Sequence, residues 1–329
     1  MAEAAEENTG TTATTDNAQA VLGIDVGGTS IKMGVVTPRG EVLAQDSIKT
    51  GVLDCAEAFT KVTEAARALS EKADVAFEQL IGVGLDVPGV VLPTGSLVMA
   101  PNVTLDLDGL VAALRETLPG AAVAVLNDCN AAALGETWVG AGNGAQSLVM
   151  VALGTGVGAG VVVDGKVATG AHGAAGEVGH INVEPNETER CGCGCRGCLE
   201  QYASARGLIR LYREECKKDG ADEVPVAHAT DALAVFVAAR EGNAQAQAAC
   251  KRLGVYLARA LACVATVVDP GTFVVGGGMC GGWDTFGAAC EEAYREFAIS
   301  ACKETPIRVA TLGNTAGFLG AARAALALL

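Results

Sequence analysis

Short apolar runs alternate with longer amphipathic stretches in the first part of the chain. Five runs rich in Val, Leu and Ile have the length and composition of strands: residues 21–25, 31–37, 41–47, 80–85 and 122–126. The first three are separated by glycines and a Pro-Arg-Gly turn, which predicts an antiparallel meander. Apolar residues at helical spacing predict helices over 54–73 and 127–139, the second opened by Asn and Asp.

One ten-residue pattern occurs twice. Segments 27–36 (GGTSIKMGVV) and 153–162 (LGTGVGAGVV) each contain Gly-Thr, four further residues and then Gly-Val-Val. Each follows an apolar strand and precedes a short turn. Two Gly/Val-rich hairpins can resemble each other by chance, but the matched positions and contexts favour an internal duplication. We therefore predict an α/β chain with two related sheet domains, each opening with a Gly-Thr hairpin.

The chain beyond residue 198 is mostly helical by its pattern. Helices are predicted over 199–218, 231–241, 243–268 and 314–329. A strand at 272–275 runs into three glycines. We expect a smaller N-terminal domain of residues 20–137 completed by the closing helix, and a larger C-terminal domain of residues 138–313. Residues 1–19, which are acidic and rich in Ala and Thr, are expected to form a disordered tail.

Charge and composition narrow the classes of function. The 329 residues carry a net charge of −15, whereas a protein that binds the nucleic-acid backbone needs the opposite sign. No nucleic-acid partner is therefore expected, and a phosphate ligand must be held locally. Twelve cysteines suggest disulfides, but the chain is long, rich in core residues and without a secretory signal. No apolar run approaches the ~20 residues of a membrane span, so we expect a cytoplasmic protein with free thiols and no membrane partner.

The glycine turns are candidate phosphate sites. In DVGGTS, Gly27 and Gly28 let backbone amides approach an anion, and Thr29 adds a hydroxyl donor. Asp25 has the wrong charge for phosphate but suits Mg²⁺ held through water. The alternative is an ordinary hairpin with a capping Asp. A second, facing turn favours a clamp on a polyphosphate, and its residues are Gly154, Thr155 and Gly156.

Three carboxylates stand at positions that suit chemistry. Asp128 lies at the end of a predicted strand and the start of a helix, a common place for a catalytic carboxylate, although an N-cap is the alternative. Glu177 and His180 are three residues apart and share a face if that turn is helical. With Glu200 they suit a polyhydroxylated ligand, because carboxylates accept hydrogen bonds from hydroxyl groups; a first-turn helix charge is the alternative for Glu200.

The segment from Gly179 to Glu200 offers more metal ligands than a tetrahedral zinc requires. Zinc takes four ligands in structural sites. The five candidates are His180, Cys191, Cys193, Cys195 and Cys198. Spacing alone leaves open which of the five is spare.

These motifs together resemble the ROK family of repressors and sugar kinases, within the actin/hexokinase/Hsp70-like fold. DVGGTSIK and LGTGVGAGVV resemble its two phosphate motifs, and NDCNAAALGE resembles the segment with the catalytic aspartate. The stretch GEVGH followed by CxCGxxGCxE resembles the family signature, and VVGGGM its adenosine motif. The resemblance covers about residues 20–329 and implies two related domains of ribonuclease-H-like fold around an active-site cleft.

The resemblance implies a role for each matching residue. Asp128 matches the general base that takes the proton of the attacking sugar hydroxyl. The matching sugar-binding positions are Asn102, Asn127, Asp128, Glu177, His180 and Glu200. The matching ATP and Mg²⁺ positions are Asp25, Gly27, Gly28, Thr29, Lys32, Gly154, Thr155, Gly156, Gly276, Gly277 and Gly278. A homodimer or homotetramer is expected from the same resemblance.

The signature also implies a structural zinc held by His180, Cys191, Cys193 and Cys198. Cys195 falls on a variable position of CxCGxxGCxE and is therefore the spare thiol. The chain departs from the family pattern in two places: no tryptophan follows Pro-Asn at 101–102, and Asp86 stands where small residues are usual. Both departures concern the edge of the sugar pocket.

The function expected from these residues is ATP-dependent phosphorylation of a hexose, with glucose converted to glucose 6-phosphate. Kinases for N-acetylmannosamine, N-acetylglucosamine, allose or fructose are alternatives, as is a glucokinase that uses polyphosphate. A sugar-sensing repressor is disfavoured, because no DNA-binding segment precedes the first phosphate motif. A zinc-dependent interaction module is a further alternative, but it leaves the two Gly-Thr hairpins unexplained.

Overall fold

Two five-stranded sheets organise the described part of the chain, which comprises residues 19–100, 103–220 and 231–329 of a computed structural model. The elements of the first half are β1 (Val21–Val26), β2 (Ser30–Val36), β3 (Val42–Lys49), α1 (Ala56–Lys72), β4 (Gly82–Val87), β5 (Val90–Val91), β6 (Leu97–Met99), α2 (Leu107–Thr117), β7 (Ala122–Asn127) and α3 (Asp128–Val139). Those of the second half are β8 (Leu148–Leu153), β9 (Val157–Val163), β10 (Lys166–Val167), α4 (Glu200–Ala203), α5 (Ala205–Asp219), α6 (Ala232–Arg240), α7 (Ala244–Val268), β11 (Thr272–Gly276), α8 (Trp283–Phe297), β12 (Ile307–Val309) and α9 (Ala316–Leu326).

The two sheets have the same topology. The first has the order β3-β2-β1-β4-β7, with β1, β2 and β3 antiparallel and β4 and β7 parallel to β1. The second has the order β10-β9-β8-β11-β12, with the same directions at the corresponding places. The repeated Gly-Thr segments predict this duplication, and each of them contains the turn between the first two strands of its sheet.

Two helices lie between the sheets. Helix α9 packs on β1, β4 and β7, and its Phe318, Leu319, Ala322 and Ala325 form a buried cluster with Val21 of the first sheet. Helix α3 packs on β8 and β9 and against α9. The closing helix therefore returns to the first sheet. The predicted limits of the two domains remain predictions.

The remaining helices cover the outer faces. Helices α1 and α2 pack against each other over the first sheet, and the core there consists largely of Val, Leu, Ile and Ala. Helices α5, α6, α7 and α8 form a larger layer beside the second sheet. None of the helices in the described ranges combines the length and apolar character that crossing a bilayer requires.

The strands match the sequence-based predictions within two residues, but one helix differs. The predicted helix over 199–218 is interrupted at Ser204, which is extended (φ −93°, ψ 171°) and separates α4 from α5. The Ser204 hydroxyl accepts a hydrogen bond from the Gly207 N–H at 3.1 Å, so it caps the longer helix. Helix α2, strand β12 and the β5–β6 hairpin were not predicted, and no range was predicted for α8. All of the predicted tail except its last residue, and the predicted sugar contact Asn102, lie outside the described residues.

Candidate active site

The first Gly-Thr turn is exposed and begins beside a carboxylate. Gly28 and Thr29 are exposed, whereas the carboxylate of Asp25 on β1 is only 14% exposed. Lys32 lies opposite Asp25 on β2 and donates a hydrogen bond to its Oδ2 at 3.0 Å. Thr50 braces the turn, because its hydroxyl donates to the Gly27 carbonyl at 2.6 Å. The turn thus offers free amides and a hydroxyl to solvent, next to a carboxylate and an ammonium group.

The second Gly-Thr turn has the same character on the second sheet. Thr155 is exposed between Gly154 and Gly156, whose N–H and C=O form a 2.9 Å hydrogen bond. The Glu200 Oε2 accepts from the N–H of Val157 at 3.0 Å. A Cβ added to Gly156 would lie 2.4 Å from the same oxygen, so only glycine leaves room for the carboxylate. Glu200 therefore joins the turn to the cysteine-rich loop.

The three consecutive glycines lie close to this second turn. Gly276 ends β11 and pairs with Ala152 of the parallel strand β8. Gly277 is exposed and has φ +84°, and a Cβ there would lie 2.3 Å from the Leu153 carbonyl oxygen. Gly278 is exposed as well. The structure therefore brings the predicted nucleotide residues of β11 next to the predicted phosphate turn after β8.

Asp128 is the first residue of α3 and does not serve as its N-cap. The cap is Asn127, whose Oδ1 accepts from the Asn130 N–H at 3.1 Å. The Asp128 Oδ1 accepts from the side chain of Asn127 and from the Cys129 N–H, each at 2.8 Å. Burial raises the pKa of Asp128 and the negative charge of Asp25 adds to the rise, against a lowering by the Cys129 N–H. Its pKa is thereby moved toward the value that suits a base near neutral pH.

Asp86 lies between these two carboxylates and was noted in the sequence only as an unusual residue. It pairs with Asp25 in the register of β1 and β4, and it is fully buried. Neither of its carboxyl oxygens has a hydrogen-bond partner in the described part of the chain. Burial raises its pKa well above the ordinary value, and the charges of Asp25 and Asp128 raise it further. We infer that the ligand-free protein holds Asp86 in the neutral, protonated form.

This pKa predicts how stability depends on pH. When the carboxyl of the unfolded chain ionises above its ordinary pKa, the folded state still holds the proton, so stability falls as the pH rises toward the folded-state pKa. Asp86→Asn does not titrate, and we expect the variant to gain stability relative to the wild type between pH 5 and pH 8. Urea unfolding at both pH values, without nucleotide or metal, measures the difference. If the difference in unfolding free energy between variant and wild type is the same at pH 5 and pH 8, Asp86 is ionised in the folded state.

The cysteine-rich loop brings four possible metal ligands together. Among the described residues, the ligand atoms of His180, Cys191, Cys193 and Cys198 lie within 4.8 Å of one another. The Cys193 and Cys198 sulfurs are 3.6 Å apart, close to the ~3.8 Å edge of a tetrahedron with Zn–S bonds of ~2.3 Å. Cys195 is exposed and outside this group, and its backbone carbonyl accepts from the Cys191 N–H at 2.8 Å. The donor set and its spacing fit zinc.

The predicted sugar ligands surround this cluster. His180 directs Nδ1 toward the Cys191 sulfur at 3.9 Å, while its Nε2 lies 3.8 Å from the Glu177 Oε2. The Glu200 Oε1 lies 3.9 Å from the same sulfur. Glu177 also acts electrostatically on Cys129, the neighbour of Asp128. The structure thus brings Glu177, His180 and Glu200 together on one side of the cluster.

Residues 181–190, which precede the first cysteine of the loop, are held against helices α4, α5 and α7 by side-chain hydrogen bonds. Glu187 accepts hydrogen bonds from the Tyr202 hydroxyl and from Arg210 Nη2, the latter at 2.7 Å. Burial opposes its ionisation, but these bonds and one from the Glu189 backbone bring the pKa of Glu187 to about 2. Glu184 accepts from the Tyr256 hydroxyl at 3.3 Å. The spacing of residues 181–190 in the sequence contains no signal for these contacts.

The family follows from comparison with known proteins. The sequence profile of the ROK family matches residues 21–327, and the chain belongs to that family. A glucokinase of Halalkalibacterium halodurans is 36% identical over 310 residues, which cover 91% of this chain and 92% of the relative. A ROK hexokinase of Thermus thermophilus has a TM-score of 0.78 at 31% identity, over 94% of this chain and 98% of its own. A ROK glucokinase of Streptomyces griseus, solved with glucose and AMPPNP, has a TM-score of 0.70 at 31% identity, over 92% and 98%.

Proposed function

We propose that this protein is a hexokinase-type phosphotransferase that transfers the γ-phosphoryl group of ATP to glucose. The observation that carries the proposal is the arrangement at Asp128: a half-buried carboxylate at the start of α3, whose pKa is raised by burial and by the charge of Asp25, and whose neighbour Cys129 is acted on by the charge of Glu177. Phosphoryl transfer requires alignment and neutralisation of charge more than covalent catalysis. Two exposed Gly-Thr turns on equivalent sheets supply the first requirement. The relative from Halalkalibacterium halodurans and the ligands of the Streptomyces griseus enzyme support ATP and glucose as substrates.

Asp128 is the proposed general base. It accepts the proton of a sugar hydroxyl, the hydroxyl oxygen forms a bond to the γ-phosphorus, and the bond from that phosphorus to ADP breaks. Asn127 orients the carboxylate through its 2.8 Å hydrogen bond. The rise in the pKa of Asp128, caused first by burial, makes the carboxylate a stronger base. Asn102 is proposed as a further sugar contact from the sequence alone.

The nucleotide is proposed to lie between the two Gly-Thr turns. Backbone amides beside Gly28 and Gly154, with the Thr29 and Thr155 hydroxyls, hold the phosphates. Mg²⁺, held near Asp25 through water, would neutralise phosphate charge when bound. Without Mg²⁺, the charge of Asp25 is neutralised by Lys32, whose Nζ lies 3.0 Å from the Asp25 Oδ2. The adenosine side is assigned to Gly276, Gly277 and Gly278.

The zinc is proposed to be structural. Four protein ligands leave no position for water or substrate on a tetrahedral ion. His180 would bind through Nδ1, since that atom faces Cys191, and its Nε2 would remain free for a sugar hydroxyl beside Glu177. A metal that depends on reduced thiols suits the cytoplasm. We retain a homodimer or homotetramer, and domains of residues 20–137 with 314–329 and of residues 138–313, as parts of the same proposal.

Thermal unfolding with a panel of sugars tests the substrate. A sugar that binds only the folded state stabilises it by about 2.7 kcal/mol at ~100 times its Kd. We expect glucose to raise the melting temperature by more than N-acetylglucosamine, N-acetylmannosamine, allose or fructose at equal millimolar concentration. A rise with another hexose and none with glucose would reassign the substrate and leave the reaction class intact.

A further inference from the structure

A buried glutamate with no part in the proposed chemistry lies in the last turns of α3. Glu136 has no exposed surface, yet its carboxylate accepts four hydrogen bonds. Oε1 accepts from the N–H groups of Thr311 at 2.9 Å and Leu312 at 2.8 Å. Oε2 accepts from the Ala141 N–H at 2.7 Å and from the Thr311 hydroxyl at 3.4 Å. Such a carboxylate is held in one geometry, because losing a donor leaves a charged oxygen unpaired in the interior.

The donors belong to the two connections between the sheets. Ala141 lies between α3 and β8, whereas Thr311 and Leu312 lie between β12 and α9. Within the described ranges the chain passes between the sheets only through these connections, since β8 to β12 all lie between them in sequence. Arg308 strengthens the link with a 2.8 Å hydrogen bond from Nη1 to the Ala141 carbonyl. If one sheet rotates against the other, the backbone N–H groups that Glu136 binds in the two connections must therefore move.

We call Glu136 and its hydrogen-bond donors the Glu136 clamp. Next to it, helices α3 and α9 contact each other through their backbones. A Cβ added to Gly320 would lie 1.6 Å from the Ala131 carbonyl oxygen, and one added to Gly135 would lie 2.5 Å from that of Ala316. Only glycine permits this approach. A backbone contact fixes the distance between two helices, but it opposes a change of crossing angle less than interlocked side chains do. The hydrogen bonds of Glu136 restrain that angle.

We propose that Glu136 is a positioning residue for phosphoryl transfer: it sets the angle at which the two sheets close over sugar and nucleotide. The inference rests on the proposed function, because the angle matters only to a reaction between groups held on both sheets. The first turn of α3 contacts β9, where a Cβ on Gly160 would lie 2.5 Å from the Cys129 carbonyl oxygen. Asp128 directly follows β7 of the first sheet and contacts the second sheet through this turn, so it lies at the junction of the two, whereas Thr29 lies on the first sheet and Thr155 on the second. Glu136 acts on the reaction through their relative placement.

Glu136→Gln tests the proposal without changing the shape of the side chain. The NH2 group that replaces one carboxylate oxygen cannot accept a hydrogen bond, so at least one backbone N–H loses its partner. We expect kcat to fall roughly 10- to 100-fold, because a misplacement of reacting groups by about 1 Å can cost up to about 10²-fold. The Kd for glucose, measured without nucleotide, should stay within twofold. X-ray scattering should show a less compact ligand-free variant, and a smaller compaction than in the wild type on adding glucose with a non-hydrolysable ATP analogue.

A second variant moves the carboxylate without altering its charge. Gly140 has φ −105°, which alanine adopts, but a Cβ there would lie 2.1 Å from the Glu136 Oε2. Gly140→Ala should therefore change kcat and scattering in the same direction. Glu64→Gln, which removes an exposed charge on α1, should stay within twofold of the wild type.

The outcomes separate this inference from the proposed function. A wild type that phosphorylates no hexose would refute the proposed function, while the scattering of ligand-free wild type and variant would still test the clamp. Glu136→Gln with wild-type kcat and wild-type scattering would overturn the inference. Equal losses in glucose affinity and in kcat would also overturn it, because they would show general damage to the sugar site.

Discussion

Asp128→Asn is expected to lower kcat by roughly 10²- to 10⁴-fold, the range that a positioned general base contributes. The variant keeps the size and hydrogen-bonding shape of the side chain, so Asn127 and the Cys129 N–H can still hold it in place. It cannot take up the proton of the attacking hydroxyl. Glucose binding should remain close to that of the wild type, because the other proposed sugar ligands, Glu177, His180 and Glu200, are unchanged.

Steady-state kinetics with calorimetric titration of glucose measures both quantities. Asp54→Asn, at an exposed position before α1, is the matched control for the loss of one negative charge and should keep wild-type kcat. A kcat near the wild-type value in Asp128→Asn would refute the assignment of the base. Loss of glucose binding together with activity would assign Asp128 to holding the sugar.

Cys193→Ser and Cys195→Ser are expected to differ sharply in metal content, although the two residues are close in sequence. Cys193 belongs to the group of four close ligand atoms, and Cys195 does not. Loss of a direct ligand should weaken zinc binding by more than the roughly 10- to 100-fold caused by loss of an outer partner. Because the metal orders the loop, Cys193→Ser should also lower the melting temperature and glucose affinity, through His180 and Glu200.

Metal analysis of the purified proteins gives the answer directly. Cys195→Ser should retain one zinc per chain, since that residue supports the loop through its backbone carbonyl, which serine preserves. Equal loss of metal from the two variants would show that the ligand set is wrong. Full zinc in Cys193→Ser, with loss only in Cys195→Ser, would exchange the roles of the two thiols.

Local patterns predicted most of the framework. The duplicated hairpins are visible in the sequence because strands, turns and glycines leave short-range signals, and the two sheets repeat one topology as those signals predict. The break at Ser204 was missed because a serine inside an apolar period is compatible with either a helix or a cap. The sequence also left open which residue caps α3, because Asn and Asp are both common N-cap residues. The structure shows that Asn127, and not Asp128, is the cap.

Long-range contacts explain what the sequence does not reveal. Asp86 is buried because its strand, β4, lies between β1 and β7. The sequence of one strand does not reveal which strands flank it. Glu136 meets donors 175 and 176 positions away along the chain. Glu187 likewise depends on Tyr202 and Arg210, which lie on later helices. In each case the residue type suggests a surface charge, and only the fold shows a buried or tethered one.

The central claim is ATP-dependent phosphorylation of glucose, and release of ADP measured by a coupled assay across a hexose panel tests it most directly. The panel comprises glucose, N-acetylglucosamine, N-acetylmannosamine, allose and fructose, each with ATP and, by following the sugar phosphate, with polyphosphate. We predict the highest kcat/KM for glucose with ATP, and a product phosphorylated at the 6-hydroxyl. No turnover of any hexose by the zinc-loaded wild type with Mg²⁺ and either phosphoryl donor would contradict the account.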